Sequence, residues 1–166
     1  NTYRETNWQI TRLWRDAQQT LVSMYNGDDG ALGINDLINI AGRKFLTLPS
    51  GLRLRYDGLV NYKTDMGEQF EYKTRRGMTR IYGGKVVENV CQALARCVIG
   101  EQMLRIAKKY KVVLTVHDSV VCAVPDSEVT EAKKYMEECM RIVPDWAEGL
   151  PLDCEVGVGK SYGDCE

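Results

Sequence analysis

One aspartate in this 166-residue chain lies in a sequence context that could present its carboxylate to a metal ion. Asp118 belongs to the tripeptide His117-Asp118-Ser119, which separates the apolar runs 112–116 and 120–124. A carboxylate held at the tip of two strands could bind a hard cation such as Mg²⁺, with phosphate oxygens as further ligands. His117 could then donate to a phosphate or a sugar. The alternative is an ordinary turn, because aspartate and serine are common turn residues.

A second set of residues could contact a polyanion. No acidic residue lies between Glu71 and Glu88, and this interval contains five basic residues: Lys73, Arg75, Arg76, Arg80 and Lys85. A polar stripe follows at helical spacing, formed by Lys85, Asn89, Gln92 and Arg96. Basic side chains on a loop make salt-sensitive phosphate contacts, and amides on a helix can reach base edges in the minor groove. Either feature alone is also typical of a solvated surface.

The charge distribution agrees with one surface that tolerates a polyanion. The net charge is only -1, but residues 1–125 carry a balance of +6 and residues 126–166 a balance of -7. Hydrophobic residues make up 44% and charged residues 27%, which argues against disorder. The six cysteines form no CxxC pair and the chain has one histidine, so we expect reduced cysteines and no structural zinc site. No apolar run approaches the ~18 residues of a membrane span.

Periodicity predicts the elements that would position these residues. We expect a helix over 6–24 ending in turn residues 26–30, in which the aromatic stripe Trp8, Trp14 and Tyr25 belongs to the core. Strands 44–48 and 52–56 should form a hairpin around Pro49-Ser50-Gly51, followed by a strand at 70–74 and a basic loop over 75–84. A long helix over 85–109 comes next.

The last third of the chain predicts a second hairpin and another helix. Two short buried strands, 112–116 and 120–124, should flank the His117-Asp118-Ser119 tip, and an amphipathic helix should cover 126–142. Residues 152–158 read as a final strand. Helices and antiparallel strands in one chain indicate an α+β fold, with β-hairpins packed against long helices.

Three segments together resemble the family A DNA polymerases. Residues 112–124 resemble the third conserved motif of that family, a strand-turn-strand whose tip reads His-Asp-Glu. Residues 82–96, Tyr-Gly-Gly-Lys-Val-Val-Glu-Asn-Val-Cys-Gln-Ala-Leu-Ala-Arg, are similar to the phage and prophage branch, and Leu48-Pro49-Ser50-Gly51-Leu52-Arg53-Leu54 looks like the loop and hairpin before that helix. Order and spacing fit from about residue 3 to the end.

The resemblance implies a partial polymerase palm in a single domain, with the end of the fingers in about residues 1–84 and palm in about residues 85–166. Asp118 matches the second catalytic aspartate, which holds the divalent ions, and His117 matches the histidine beside the primer terminus. Lys85 and Asn89 fall where the family places two amides in the primer-template minor groove. Ser119 replaces the usual third acidic residue, and Lys85 replaces an amide.

The implied function is template-directed nucleotidyl transfer from a dNTP to a primer 3′-hydroxyl with two Mg²⁺ ions. The implied partners are primer-template DNA and dNTP, with DNA contacts from Arg75, Arg76, Arg80, Lys85, Asn89, Gln92 and Arg96. The first catalytic aspartate and the nucleotide-gripping Lys and Arg would precede residue 1. We therefore expect this piece to be inactive by itself and to bind Mg²⁺ weakly or not at all.

Further expectations follow from the same interpretation. The protein should have no membrane partner and act in the cytoplasm of a bacterial or phage-infected cell. The face that normally packs against the missing palm strands should be exposed, which favours self-association. Two alternatives remain open: a noncatalytic nucleic-acid-binding domain, and a partner-binding module in which the hairpin tip is only a turn.

Overall fold

Four α-helices and nine β-strands lie in the parts of the chain that the computed structural model describes, which are residues 2–33, 37–40, 45–65 and 67–165. The helices are α1 (Thr2–Thr6), α2 (Trp8–Asn26), α3 (Gly83–Ile106) and α4 (Val129–Met140). The strands are β1 (Gly30–Leu32), β2 (Ile38–Ile40), β3 (Phe45–Thr47), β4 (Arg53–Arg55), β5 (Val60–Thr64), β6 (Gly67–Thr74), β7 (Gly77–Ile81), β8 (Lys111–Val116) and β9 (Ser119–Ala123). Every strand pairing is antiparallel, so the predicted α+β class is confirmed.

The chain forms two compact units, Asn1–Leu94 and Ala95–Glu166. The boundary falls inside α3, ten residues beyond the expected division near residue 84. The assignment of the two parts to the fingers and the palm stays a prediction. Among the helices described, none is both long enough and apolar enough to cross a membrane.

Helix α2 confirms the first predicted helix and corrects its aromatic stripe. Gly27 adopts a left-handed conformation with φ 84° and donates its N–H to the Ser23 carbonyl over 2.9 Å, which closes the helix. The buried face consists of Ala17, Thr20, Leu21 and Met24. The prediction that Trp8 and Tyr25 are core was wrong, because they are 55% and 42% exposed. At helical spacing Trp8 lies opposite the buried face.

A four-stranded sheet in the order β1-β2-β3-β4 follows α2. The predicted hairpin around Pro49-Ser50-Gly51 is confirmed, since β3 pairs with β4 and places Leu46 opposite Leu54. The Leu48 N–H donates to the Leu52 carbonyl over 2.8 Å and continues the hairpin toward the turn. The start of the predicted strand, Lys44, lies outside the described residues.

The second sheet, β5-β6-β7, corrects the predicted basic loop. Strand β6 confirms the strand expected at 70–74, but the following segment reverses after Arg75 and Arg76 and returns as β7. The turn is closed by Gly77 at φ 117° and by the Thr74 hydroxyl, which donates to the Gly77 carbonyl over 2.8 Å. Three glycines suggested a loop, whereas one of them serves the turn and two begin α3.

The second unit contains the end of α3, the β8-β9 hairpin and α4. The side chain of Gln102 is buried and donates to the Met140 carbonyl, which ties α3 to the end of α4. The helix predicted over 126–142 begins with a 3-10 turn, Asp126–Glu128, before α4. The strand predicted at 152–158 was wrong, because no described strand pairs with that extended segment. Its Asp153 and Cys154 side chains instead contact α4 and the residue after it.

Candidate nucleic-acid interface and hairpin-tip carboxylate

The β8-β9 hairpin has a loop of two residues. Val116 pairs with Ser119, so only His117 and Asp118 form the tip, and Ser119 belongs to β9. His117 has a φ of 52°, the one positive value found at a described residue other than glycine. Two-residue hairpins require such a conformation to match the strand twist, and a non-glycine residue adopts it at a cost of about 1–3 kcal/mol. The tip is therefore locally strained at the residue beside the candidate carboxylate.

The side chains at this tip are exposed. Asp118 borders a cleft of about 720 Å³ in the second unit, whose walls include Gln102 of α3 and Met136 of α4. Two further carboxylates, Asp153 and Glu155, line the same cleft. Asp153 accepts a hydrogen bond from Arg141 at 2.8 Å, and this bond, together with the Cys154 N–H, lowers the pKa of Asp153.

The donors at the tip are few for a metal site. No cluster of three His, Cys, Asp or Glu side chains suited to a metal occurs within the described ranges. A protein Mg²⁺ site typically uses one or two carboxylates together with water and substrate phosphates. Asp118 could supply one of these carboxylates, and Ser119 supplies none.

Strand β8 is less buried than the sequence predicted. Val113 is 50% and Leu114 45% exposed, although both belong to the run that we expected to be a buried strand. The pairing register shifts between Val112 and Leu114, which leaves Val113 as a bulged residue. A two-stranded sheet has two unpaired edges, so these apolar side chains lack the neighbouring strands that would cover them.

The polar stripe of α3 begins in the first unit. Lys85 forms an ion pair with Glu88 at 2.6 Å, which raises the pKa of Lys85. Asn89 donates from Nδ2 to the Tyr56 hydroxyl over 3.3 Å. Gln92 is exposed, and Arg96 is exposed at the start of the second unit. Asn89 and Gln92 both line an open cleft of about 420 Å³.

The remaining walls of this cleft were missed by the sequence analysis. They come from Arg55 at the end of β4, from Tyr56 immediately after it, and from Tyr72 on β6. The two tyrosine rings pack edge to face with centroids 5.1 Å apart. Burial raises the pKa of the Tyr56 phenol. The only signal in the sequence was the alternation of residues 52–56, which identifies a strand but not what its last residue contacts.

The basic residues before α3 are divided between two environments. Arg75 and Arg76 form the exposed turn between β6 and β7, and neither has an ion-pair partner in the described parts of the chain. Arg80 on β7 lies opposite Glu71 and approaches its carboxylate to 3.8 Å. Glu71 also accepts a hydrogen bond from the Tyr62 hydroxyl at 2.8 Å. The turn arginines are thus free to contact phosphate, whereas Arg80 is partly neutralised.

The chain shares sequence similarity with a known protein. The chain is similar to a DNA polymerase of Bacillus phage SP02, with 30% identity over 176 residues. The alignment covers 96% of this chain and 26% of the phage protein, so the chain spans about a quarter of its relative's length. No protein-family model matches the chain, and no solved structure matches it significantly. The similarity supports a relationship to DNA polymerases.

Proposed function

We propose that this chain is the later palm and the end of the fingers of a family A DNA polymerase. The observation that carries the proposal is the 30% identity to a phage DNA polymerase across 96% of the chain. In this assignment the α3 stripe and the basic turn bind primer-template DNA, and Asp118 supplies one of the carboxylates that hold the catalytic Mg²⁺. Mg²⁺ held there would supply Lewis-acid activation of the primer hydroxyl and charge stabilisation at the leaving oxygen.

The roles of the chain's own residues follow from their positions. Arg75 and Arg76 neutralise backbone phosphates, which gives affinity without sequence preference. Asn89 and Gln92 offer amide donors and acceptors, which suit the degenerate pattern of the minor groove. His117 lies beside Asp118 at the exposed tip, where it can donate to a phosphate or to the primer end. Bound dNTP would be contacted by residues outside this chain.

Duplex binding by the 166-residue chain tests the interface. We expect a labelled primer-template duplex to bind at low salt, with an anisotropy signal that falls as salt rises. Arg75→Gln and Arg76→Gln should each reduce the slope of log K against log salt by about 0.9. Arg12→Gln is the matched control, because Arg12 is exposed on α2 and paired with Asp16. Equal slopes for the turn variants and the control would remove these arginines from the interface.

Catalysis tests the role of Asp118. Primer extension by the chain alone should stay at background, because one carboxylate cannot replace a two-carboxylate site. In an intact polymerase containing this sequence, Asp118→Asn should abolish incorporation and leave duplex binding nearly unchanged, whereas Asp145→Asn should retain activity. Normal incorporation by Asp118→Asn would refute the role of Asp118 in metal binding. Salt-dependent duplex binding that Asp118→Asn leaves unchanged, without synthesis by any longer protein that contains this sequence, would favour the noncatalytic nucleic-acid-binding alternative. The absence of duplex binding at low salt would favour the partner-binding alternative.

The exposed β8 side chains support one further part of the proposal. Val113 and Leu114 present apolar surface at the edge of a two-stranded sheet. In an intact enzyme we expect neighbouring strands to cover this surface, and in the isolated chain we expect self-association through it. Sedimentation should show a concentration-dependent species that Leu114→Lys reduces. A monomer at all concentrations would contradict this expectation.

A further inference from the structure

A second cavity in the first unit shares no lining residue with the cleft around Asn89. Its volume is about 680 Å³, which is within the range of ligand-binding sites. The residues that line it come from α1, from α2 between Thr11 and Gln18, and from the segment that opens α3. None of the residues assigned to duplex or metal binding lies in it.

Two aromatic rings line this cavity. Trp14 is half-buried on α2, and Tyr82, the residue before α3, is 61% exposed. Gly84 lies between them: a Cβ there would be 3.2 Å from Cε2 of Tyr82 and 3.9 Å from Cδ1 of Trp14. The missing side chain at residue 84 therefore leaves the space between the rings open. Accessible aromatic surface beside an open space is suited to stacking against a planar ligand.

Two arginines give the same cavity a positive charge. Arg4 of α1 and Arg15 of α2 both line it, and none of its described lining residues is a carboxylate. Within the described residues neither arginine has an ion pair or a side-chain hydrogen bond, whereas the adjacent Arg12 is paired with Asp16 at 3.8 Å. A guanidinium without a protein partner can bind phosphate oxygens in a bidentate manner.

We propose that this cavity binds an unpaired nucleotide of a single-stranded nucleic acid. The base stacks on Trp14 and Tyr82, and the flanking phosphates contact Arg4 and Arg15. A single strand fits because the faces of its bases are accessible, whereas those in a duplex are stacked on one another. An acidic peptide would satisfy the arginines but would leave the two rings unused. The proposal goes beyond duplex binding and rests on the chemistry of the cavity alone.

Fluorescence anisotropy of the full 166-residue chain with a labelled 12-residue oligo(dT) tests the site. Tyr82→Leu should weaken binding about tenfold, and Tyr82→Phe should retain it, because the loss of one stacked base has an effect of this size. Arg15→Gln should lower the slope of log K against log salt by about 0.7, the value for one phosphate contact on a single strand. Arg12→Gln, on the same helix but outside the cavity, should leave the slope unchanged.

Two competitors separate base recognition from attraction to negative charge. An abasic 12-mer should compete more weakly than oligo(dT) for the wild-type chain, and this difference should be smaller for Tyr82→Leu, which keeps only the Trp14 ring. A 12-residue polyglutamate should compete poorly. The proposal is overturned if the abasic strand or the peptide competes as well as oligo(dT), or if Arg15→Gln behaves like Arg12→Gln. Asn89→Ala should leave oligo(dT) binding intact, so a failure of the duplex interface is distinguishable from a failure of this site.

Discussion

The side-chain amide of Asn89 donates a hydrogen bond to the phenol oxygen of Tyr56 over 3.3 Å. Tyr56 is only 2% exposed, and its ring packs against Tyr72. Its hydroxyl is therefore held in a fixed position, where it accepts the hydrogen bond from α3. The bond orients the carboxamide and leaves its oxygen and its second N–H available to a ligand in the cleft. Asn89 is thus held in place, which would reduce the entropic cost of binding a ligand in this cleft.

We expect Tyr56→Phe to weaken duplex binding about fivefold, because one orienting hydrogen bond contributes about 1 kcal/mol. Asn89→Ala should weaken it further, and Tyr56→Phe should add little in the Asn89→Ala background, since both changes act on one contact. Fluorescence anisotropy with a primer-template duplex measures these constants. Tyr135→Phe is the matched control, because its hydroxyl bonds the Arg105 carbonyl in the second unit. Equal effects of Tyr56→Phe and Tyr135→Phe would contradict a positioning role.

The same tyrosine predicts an alkaline limit to stability. Burial raises the pKa of Tyr56 in the folded state above its usual value of about 10. The unfolded chain then loses this proton first as the pH rises, so the associated stability is complete below pH ~10 and is lost on approach to the folded pKa. Urea unfolding of the wild type and of Tyr56→Phe between pH 8 and 11 should show the wild type losing more stability above pH ~10. Parallel curves for the two proteins would exclude this titration.

The strain at the hairpin tip should be measurable. His117→Gly should raise the free energy of unfolding by about 1 kcal/mol, because glycine adopts the φ of 52° without a steric penalty. In contrast, Asp118→Gly should not stabilise the chain, since Asp118 has no positive φ to relieve. Urea denaturation followed by circular dichroism gives both values. If His117→Gly proved destabilising, the tip would not be strained as described.

Helix α3 contains a pair of glycines that should respond oppositely to alanine. At Gly83 a Cβ would lie 2.0 Å from the Trp14 carbonyl oxygen and 2.8 Å from the Gln18 nitrogen, so Gly83→Ala should destabilise the chain by about 3 kcal/mol or more. At Gly100 a Cβ would have nothing within 4 Å, so Gly100→Ala should stabilise the helix by about 0.5–1 kcal/mol. Thermal unfolding of the two variants should therefore shift the midpoint in opposite directions. Similar shifts for the two variants would show that the close approach of α2 to α3 does not exclude a side chain at residue 83.

The sequence by itself determined the elements whose signals are local. The apolar periodicity of α2 and α3 and the turn residues at Gly27 and Gly51 predicted these two helices and the β3-β4 hairpin near their observed positions. The apolar runs around His117-Asp118 predicted the second hairpin, because alternating or continuous apolar residues and turn residues act over a few positions. The resemblance of three segments to DNA polymerase motifs is likewise a property of the sequence alone.

Only the tertiary structure decided which distant residues share a site. The pairing of Asn89 with Tyr56 joins residues 33 positions apart, and nothing in either local pattern specifies the other. Burial also depended on the tertiary structure. Trp8 and Leu114 were predicted to be buried and are exposed, because the fold determines which elements pack against a helix face or cover a strand. Segment 152–158 had strand propensity but found no strand to pair with among the residues that the structure describes. Propensity describes a residue, whereas pairing and burial depend on what the rest of the chain brings next to it.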